Sequence, residues 1–305
     1  MRSIRLPLKK GVGVLNIAHR GARAFAPENT LVAFEKAKCL GSQMFEIDVR
    51  LSKDGALVVH HDETLSRCTD VQTKFPRRDS YYVWDFTVDE LMQLDAGSWY
   101  IKQLMLPSLQ RQAFLQTLAE EEARQFVTIQ ARDVFASGNI KIPTLKQTLE
   151  FAVAADMMVN IELKTQPGKQ EDLVAEVVKL VEWMRMEHKI LISSFDHPLL
   201  RALRQLNKTI AIGVLTSQPI INLNEYLESL DADAYHPTGY SDGDVKGLQK
   251  LKLNEFAVTL EAGWPVNVWT CNNKEDIRQL VTCGVSGVIS DFPNRVKEVI
   301  DEFIS

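Results

Sequence analysis

The 305-residue chain is poor in the features that mark several protein classes. It has four cysteines, Cys39, Cys68, Cys271 and Cys283, and no CxxC pair. That excludes a disulfide framework and a cysteine-built zinc site, and it predicts reduced, mostly buried thiols. No apolar run is long enough to span a bilayer, so stable membrane insertion is not expected. Arg2, Arg5, Lys9 and Lys10 precede an apolar run from Val12 to Ala18, which is too short for a secretory signal and leads straight into His19-Arg20. A cytoplasmic protein is the expectation. An excess of charge is also lacking: 35 basic residues against 40 acidic ones give a net charge of -5. That balance argues against nucleic acid as a partner. No glycine-rich turn follows the first apolar run, there is no GxSxG elbow, and no Cys–His pairing stands out. These absences count against a dinucleotide fold and a covalent serine or cysteine mechanism.

What is present is alternation. Short β-branched runs at 14–18, 44–50, 158–163, 190–194, 210–215, 232–236, 266–270 and 286–290 are mostly separated by helical patterns. Eight such units predict a (β/α)8 TIM barrel formed by the whole chain. An open doubly wound sheet is the alternative. Ser52-Lys53-Asp54-Gly55 is a turn signal, so the second strand should continue as a hairpin from 46–51 to 56–61. Glu28-Asn29-Thr30 offer capping groups to a helix with Leu31, Ala33, Phe34 and Ala37 on its apolar face, ended by Gly41. The last helix should start at Asp291-Phe292-Pro293 and bury Val296, Val299, Ile300 and Phe303. The segment 63–141 fits no βα unit and reads as an insertion between the second and third barrel strands, with a helix over roughly 109–126.

Several residues at strand ends can carry chemistry. Glu46 and Asp48 are two apart on a strand and share a face. Both faces of a barrel strand are buried, so two unpaired acids there call for a cation between them. The competing reading is a pair of solvated charges on an exposed strand. Asn160, Glu162 and Lys164 repeat the device, either as a third carboxylate with a phosphate-holding lysine or as an internal Glu–Lys pair. His19 and Arg20 end the first strand, at the rim where barrel sites form. Histidine suits proton transfer and arginine suits phosphate. His60 and His61 point to opposite faces, so only one can serve a given site. Phe195 and Trp269 can pack on substrate or on the core, and His236 can face a pocket or the interior. His188 and His197 read as surface or loop residues.

The motifs together resemble the glycerophosphodiester phosphodiesterases. They are Ala18-His19-Arg20-Gly21, Pro27-Glu28-Asn29-Thr30, Glu46-Ile47-Asp48, Asp54-Gly55, Val58-Val59-His60-His61-Asp62 with Leu65 and Arg67, and Leu94-Asp95-Ala96-Gly97-Ser98-Trp99. Further on come Ile142-Pro143-Thr144-Leu145, Asn160-Ile161-Glu162-Leu163-Lys164, Ser193-Ser194-Phe195, Val268-Trp269-Thr270 and Ser290-Asp291-Phe292-Pro293. The resemblance implies a divalent cation, Mg2+ or Ca2+, on Glu46, Asp48 and Glu162. It implies His19 and His61 as the acid–base pair, Arg20 and Lys164 on phosphate, and Glu28 orienting its neighbours. Phe195 and Trp269 are then candidates for substrate contact.

The implied reaction is metal-dependent hydrolysis of small glycerophosphodiesters to glycerol 3-phosphate and an alcohol, through a cyclic phosphate. Rival readings are a lysophospholipase D acting on acylated substrates, and a phosphate-binding protein without catalysis. Cys68 stands where relatives often have threonine, and Cys271 where they often have valine. The stretch from about Lys102 to Asn139 is longer than in many relatives, and is expected to act as a lid or a homo-oligomer contact.

Overall fold

The computed structural model describes residues 13–168, 170–241 and 250–304. The basic N-terminal residues and Val12 lie outside these. All eight expected runs form parallel strands. They are β1 (Leu15–Ala18), β2 (Met44–Leu51), β4 (Met158–Leu163), β5 (Ile190–Ser194), β6 (Ala211–Thr216), β7 (Ala234–Pro237), β8 (Asn267–Val268) and β9 (Gly287–Ser290). The ninth strand, β3 (Leu57–Val59), is the expected hairpin return, antiparallel to β2 with Val49 opposite Val59. Its turn uses Gly55 at φ +82°, a left-handed conformation that favours glycine.

The strands run in the order β7-β6-β5-β4-β2-β1-β9-β8. Two parallel bridges, Tyr235 to Val266 and Thr238 to Trp269, join β7 to β8 and draw the sheet into a barrel. The seven other parallel neighbours pair through ladders, the longest joining β2 to β4 from Met44 with Met158 to Val49 with Leu163.

Alternation along β2 sorts its residues. Phe45, Ile47 and Val49 join the main apolar cluster beneath the helices, and Phe45 stacks on Phe34 at 4.5 Å. Burying such a side chain stabilises the fold by about 1.5–3 kcal/mol. The other face, with Met44, Glu46 and Asp48, belongs to the barrel interior. Its floor is apolar, formed by Ile17, Met44 and Ile289 on one side and Leu191, Ala211 and Ala234 on the other.

His236 is fully buried inside the barrel and does not line the pocket described below. Its Nε2 lies 2.9 Å from the Asn267 amide, and burial pushes its pKa down to about 3. Gly213 makes room for the ring, because a Cβ there would sit 2.6 Å from His236 Nε2. Gly213→Ala is expected to destabilise the fold by about 1–3 kcal/mol through overpacking. Urea unfolding tests this, and an unchanged midpoint would show that the ring can step aside.

The helix after β1 spans Leu31–Cys39, and only Thr30 of the three expected capping residues caps it, accepting from the Ala33 N–H. Ala33, Phe34 and Ala37 are buried as expected, but Leu31 is exposed. At about 100° per residue, Leu31 lies on the far side of the helix from Ala33. In the last helix, Pro293–Glu302, Val296 and Val299 are buried. Phe303 is exposed because it falls just beyond the helix end.

The expected helix over 109–126 is broken into Ser108–Gln110, Ala113–Gln116 and Glu120–Phe126. Tertiary hydrogen bonds take the place of helical ones. The Gln112 N–H donates to Gln103 Oε1, and the Thr117 carbonyl accepts from Arg295. Phe114, Leu115, Leu118, Val127 and Phe135 join the barrel's own apolar cluster. Of the four thiols only Cys68 and Cys271 are buried, since Cys39 is exposed and Cys283 half-buried, and all four are free. Among the described residues no helix is long and apolar enough to cross a membrane.

Candidate active site

The residues singled out by the sequence converge at the C-terminal ends of the strands. A cavity of about 240 Å³ there is lined by His19, Arg20, Glu46, His61, Glu162 and Lys164, with Phe195 and Trp269 at its apolar side. Phe195 is half exposed and meets Trp269 edge to face at 5.3 Å. Asp48 lies fully buried beside this group.

Local backbone geometry places the first strand's residues. Arg20 and Asn29 both adopt left-handed conformations, at φ +53° and +56°. The turn lets the Arg20 N–H donate to Glu46 Oε2 at 2.9 Å, while the Arg20 guanidinium donates to Glu28 at 2.8 Å and lies 3.5 Å from Asp48. Gly21 packs against Ala33 so closely that a Cβ would sit 2.8 Å from it. Asn29, expected only as a capping residue, instead donates its amide to Asp48 Oδ2 at 2.8 Å.

Glu28 accepts from both Arg20 and Arg67 and lies 3.7 Å from Arg23. Burial alone would raise its pKa, but Arg20 and Arg67 hold it well below the usual carboxylate range.

Each histidine is tied at Nδ1 to an aspartate. His19 Nδ1 lies 2.7 Å from Asp291 Oδ1, and Asp291 is held in turn by Arg23 and by the Asn272 amide at 2.7 Å. Burial, helped by Arg23, lowers the His19 pKa to about 4, so the ring is neutral at ordinary pH. Burial opposes ionisation of Asp291, but Arg23 and His19 keep it ionised. With Nδ1 engaged to Asp291, the lone pair of the neutral ring is on Nε2. That atom is 3.9 Å from Glu46.

His61 Nδ1 lies 2.7 Å from Asp62, which accepts from Arg67 at 2.6 and 2.9 Å. His60, on the opposite face, is buried with Nε2 on the Thr64 carbonyl. Arg50 fixes the loop by donating to the His61 carbonyl and to the Thr165 carbonyl.

The carboxylates form the third part. Glu46, Asp48 and Glu162 each offer an oxygen, all within 4.8 Å of one another, and all three are buried. Burial, then repulsion from Asp48 and Glu162, pushes the Glu46 pKa well above the usual range. Glu162 is raised as well, by burial and by Asp48, although Lys164 pulls against this. Asp48 is kept low by Lys164 despite burial. Lys164 Nζ bridges Glu162 and Asp48, 3.0 Å from the latter, so the internal Glu–Lys pair and the acid cluster exist together. Among the described residues Glu46 Oε1 and Asp48 Oδ1 are buried without a well-aligned hydrogen bond. Glu46 Oε1, buried without a hydrogen bond, beside Asp48 Oδ1, which only the Lys164 ammonium meets, fits a hard divalent cation.

Sequence reasoning did not assign Asp291, Asp62, Arg23, Arg50 or Asn272 a part. Asp62 adjoins His61 in the quoted motif, and that adjacency could have marked it as the ring's partner. Asp291 is 272 positions from His19, and no local signal connects them.

A barrel that gathers buried acids, histidines and cations in a cavity at its C-terminal rim has the layout of an enzyme active site. Comparison with known proteins narrows this. The Glycerophosphoryl diester phosphodiesterase family matches residues 19–295. A glycerophosphodiester phosphodiesterase of Bacillus altitudinis is 30% identical over 287 residues, covering 93% of this chain and 97% of that one. Its counterpart in Caldanaerobacter subterraneus is 30% identical over 292 residues, covering 94% and 97%. An Oleispira antarctica phosphodiesterase, solved in complex with the product sn-glycerol-3-phosphate, superposes with a TM-score of 0.70 at 28% identity, covering 93% of this chain and 96% of that chain. The chain belongs to the glycerophosphoryl diester phosphodiesterase family.

Proposed function

We propose that the chain hydrolyses small glycerophosphodiesters, releasing glycerol 3-phosphate and an alcohol, by histidine acid–base catalysis beside a divalent cation. The pairing of His19 with Asp291 and of His61 with Asp62, on either side of one cavity, carries this reading.

Glu46, Asp48 and Glu162 would hold Mg2+ or Ca2+, which when bound draws charge from the phosphate oxygens. Arg20 and Lys164 line the same cavity and add positive charge for the phosphate. Neutral His19 takes the proton of the glycerol 2-hydroxyl at Nε2, and that oxygen attacks phosphorus. The bond from phosphorus to the departing alcohol breaks, and His61 delivers a proton to its oxygen. In the second step His61 takes a proton from water, whose oxygen opens the cyclic phosphate, and His19 returns its proton to the 2-oxygen. Both rings end as they began. Asp291 and Asp62 fix each ring's Nδ1, so that Nε2 is the working atom. Phe195 and Trp269 offer the departing group an apolar wall. The fit of a small diester to a cavity of about 240 Å³ supports a deacylated substrate.

The test is glycerol 3-phosphate release from glycerophosphocholine by purified protein, with Mg2+ or Ca2+ and with a chelator. Release that the chelator abolishes is expected. Release from lysophosphatidylcholine alone, or from neither, would overturn the reading.

A further inference from the structure

The segment 112–122, between β3 and β4, reaches the supports of both histidines. On one side Gln112 Oε1 accepts from Arg67 Nη1 at 3.0 Å. Arg67 grips Asp62, and Asp62 meets His61. On the other side Arg295 donates to Glu122 at 2.8 Å and to the Thr117 carbonyl at 2.8 Å. The same guanidinium donates to the Asn272 carbonyl at 2.9 Å. Asn272 in turn both donates to and accepts from Asp291, the partner of His19. Between the two, the Phe114 ring lies 4.3 Å from the Arg23 guanidinium, which also holds Asp291.

We propose that this segment is a brace, in which Gln112 and Glu122 are positioning residues that set the orientation of His61 and His19 respectively. The inference rests on the function proposed above for its kinetic consequence, but not for its structural one. The two contacts are of different kinds. Gln112 supplies a neutral acceptor to an arginine that already holds two carboxylates. Glu122 supplies a partly buried charge to Arg295, and Arg295 holds it below its ordinary pKa against the opposing effect of burial. Phe114, Leu115 and Leu118 anchor the segment in the barrel's apolar cluster, so its polar contacts start from a fixed base. A ring tied to such a base through three hydrogen bonds (His61) or four (His19) keeps its angle to substrate, and small losses of alignment are costly in turnover.

The experiment uses Gln112→Leu and Glu122→Ala in the full chain, with Gln112→Glu and Glu122→Gln as conservative rescues. Turnover on glycerophosphocholine should fall on the order of tenfold in each disruptive variant, with KM held within about twofold. The rescues should recover most of it. Nitrogen-15 spectra of the imidazole rings give a second readout that needs no activity. Gln112→Leu should move the His61 ring signals and leave those of His19, and Glu122→Ala should do the reverse. Signals unmoved in both variants, or both rings moving together in each, would overturn the brace. If the wild-type protein cleaves no diester, the proposed function fails while the ring spectra still decide the brace.

Discussion

Replacing His19 with alanine should lower turnover of glycerophosphocholine by about 10²–10⁴-fold, the range for losing a positioned general base. His61→Ala should cost a similar factor. The double variant should be far less impaired than the product of the two, because both residues serve one proton circuit. KM should change little, since neither ring is the main source of charge for phosphate. Asp291→Asn should fall short of the His19→Ala loss while leaving the ring in place. Its effect comes through the tautomer, because an amide at that position no longer requires a proton on Nδ1. Steady-state kinetics of the four proteins checks this. Turnover of His19→Ala within threefold of the wild type would remove the histidine from the chemistry.

Glu46→Gln should separate stability from activity, moving them in opposite directions. Glu46 is buried against Asp48 and Glu162, and its folded pKa is raised well above the ordinary 4.5. The sign follows from linkage. An acid whose folded pKa is raised contributes stability that is fully present below its unfolded pKa and lost as pH rises through the folded value. At neutral pH the cation-free protein therefore carries the cost of the crowded acids, and a neutral amide of the same shape relieves it. The melting temperature of the chelator-treated variant should rise by about 2–4 °C for each kcal/mol relieved. Lowering the pH towards the ordinary carboxylate range should shrink that gain, because the wild-type acid then protonates. Added Mg2+ or Ca2+ should stabilise the wild type by mass action and the variant much less. Turnover of the variant should fall by about 10²-fold or more, on the scale of losing a charge that stabilises the transition state. A variant that melts lower than wild type without cation, or that gains as much from added cation, would refute the acid cluster as a cation site.

Much of this architecture was legible in the chain. The barrel strands announce themselves as β-branched runs, and Ser52-Lys53-Asp54-Gly55 marks its hairpin through local turn chemistry. Strand periodicity puts Glu46 and Asp48 on one face, and the family resemblance adds Glu162 to them. What stayed hidden depends on distant partners. The pattern at 109–126 is helical, but Gln103 and Arg295 claim the backbone groups that a continuous helix would use. Asn29 looked like a cap and holds Asp48 instead. Arg50 and Asn272 act on backbone carbonyls or on a carboxylate brought in by the barrel's closure, and no spacing rule reports that.

The barrel is sewn unevenly, and this bears on what the site can select. His19, Glu46, Asp48, Glu162 and Lys164 stand on or just after β1, β2 and β4, where β2 and β4 are paired through six successive residues. Trp269 stands at the opposite wall, where β8 has two residues and meets β7 only through isolated bridges. On the function proposed above, the bond-breaking groups would stand on the heavily paired side of the barrel and the wall for the departing alcohol on the lightly paired side. Such a division lets one wall yield to alcohols of different bulk while the distances that govern proton transfer stay fixed. Breadth of substrate and constancy of mechanism would then have separate structural seats, and substitutions around Trp269 could retune the first without disturbing the second.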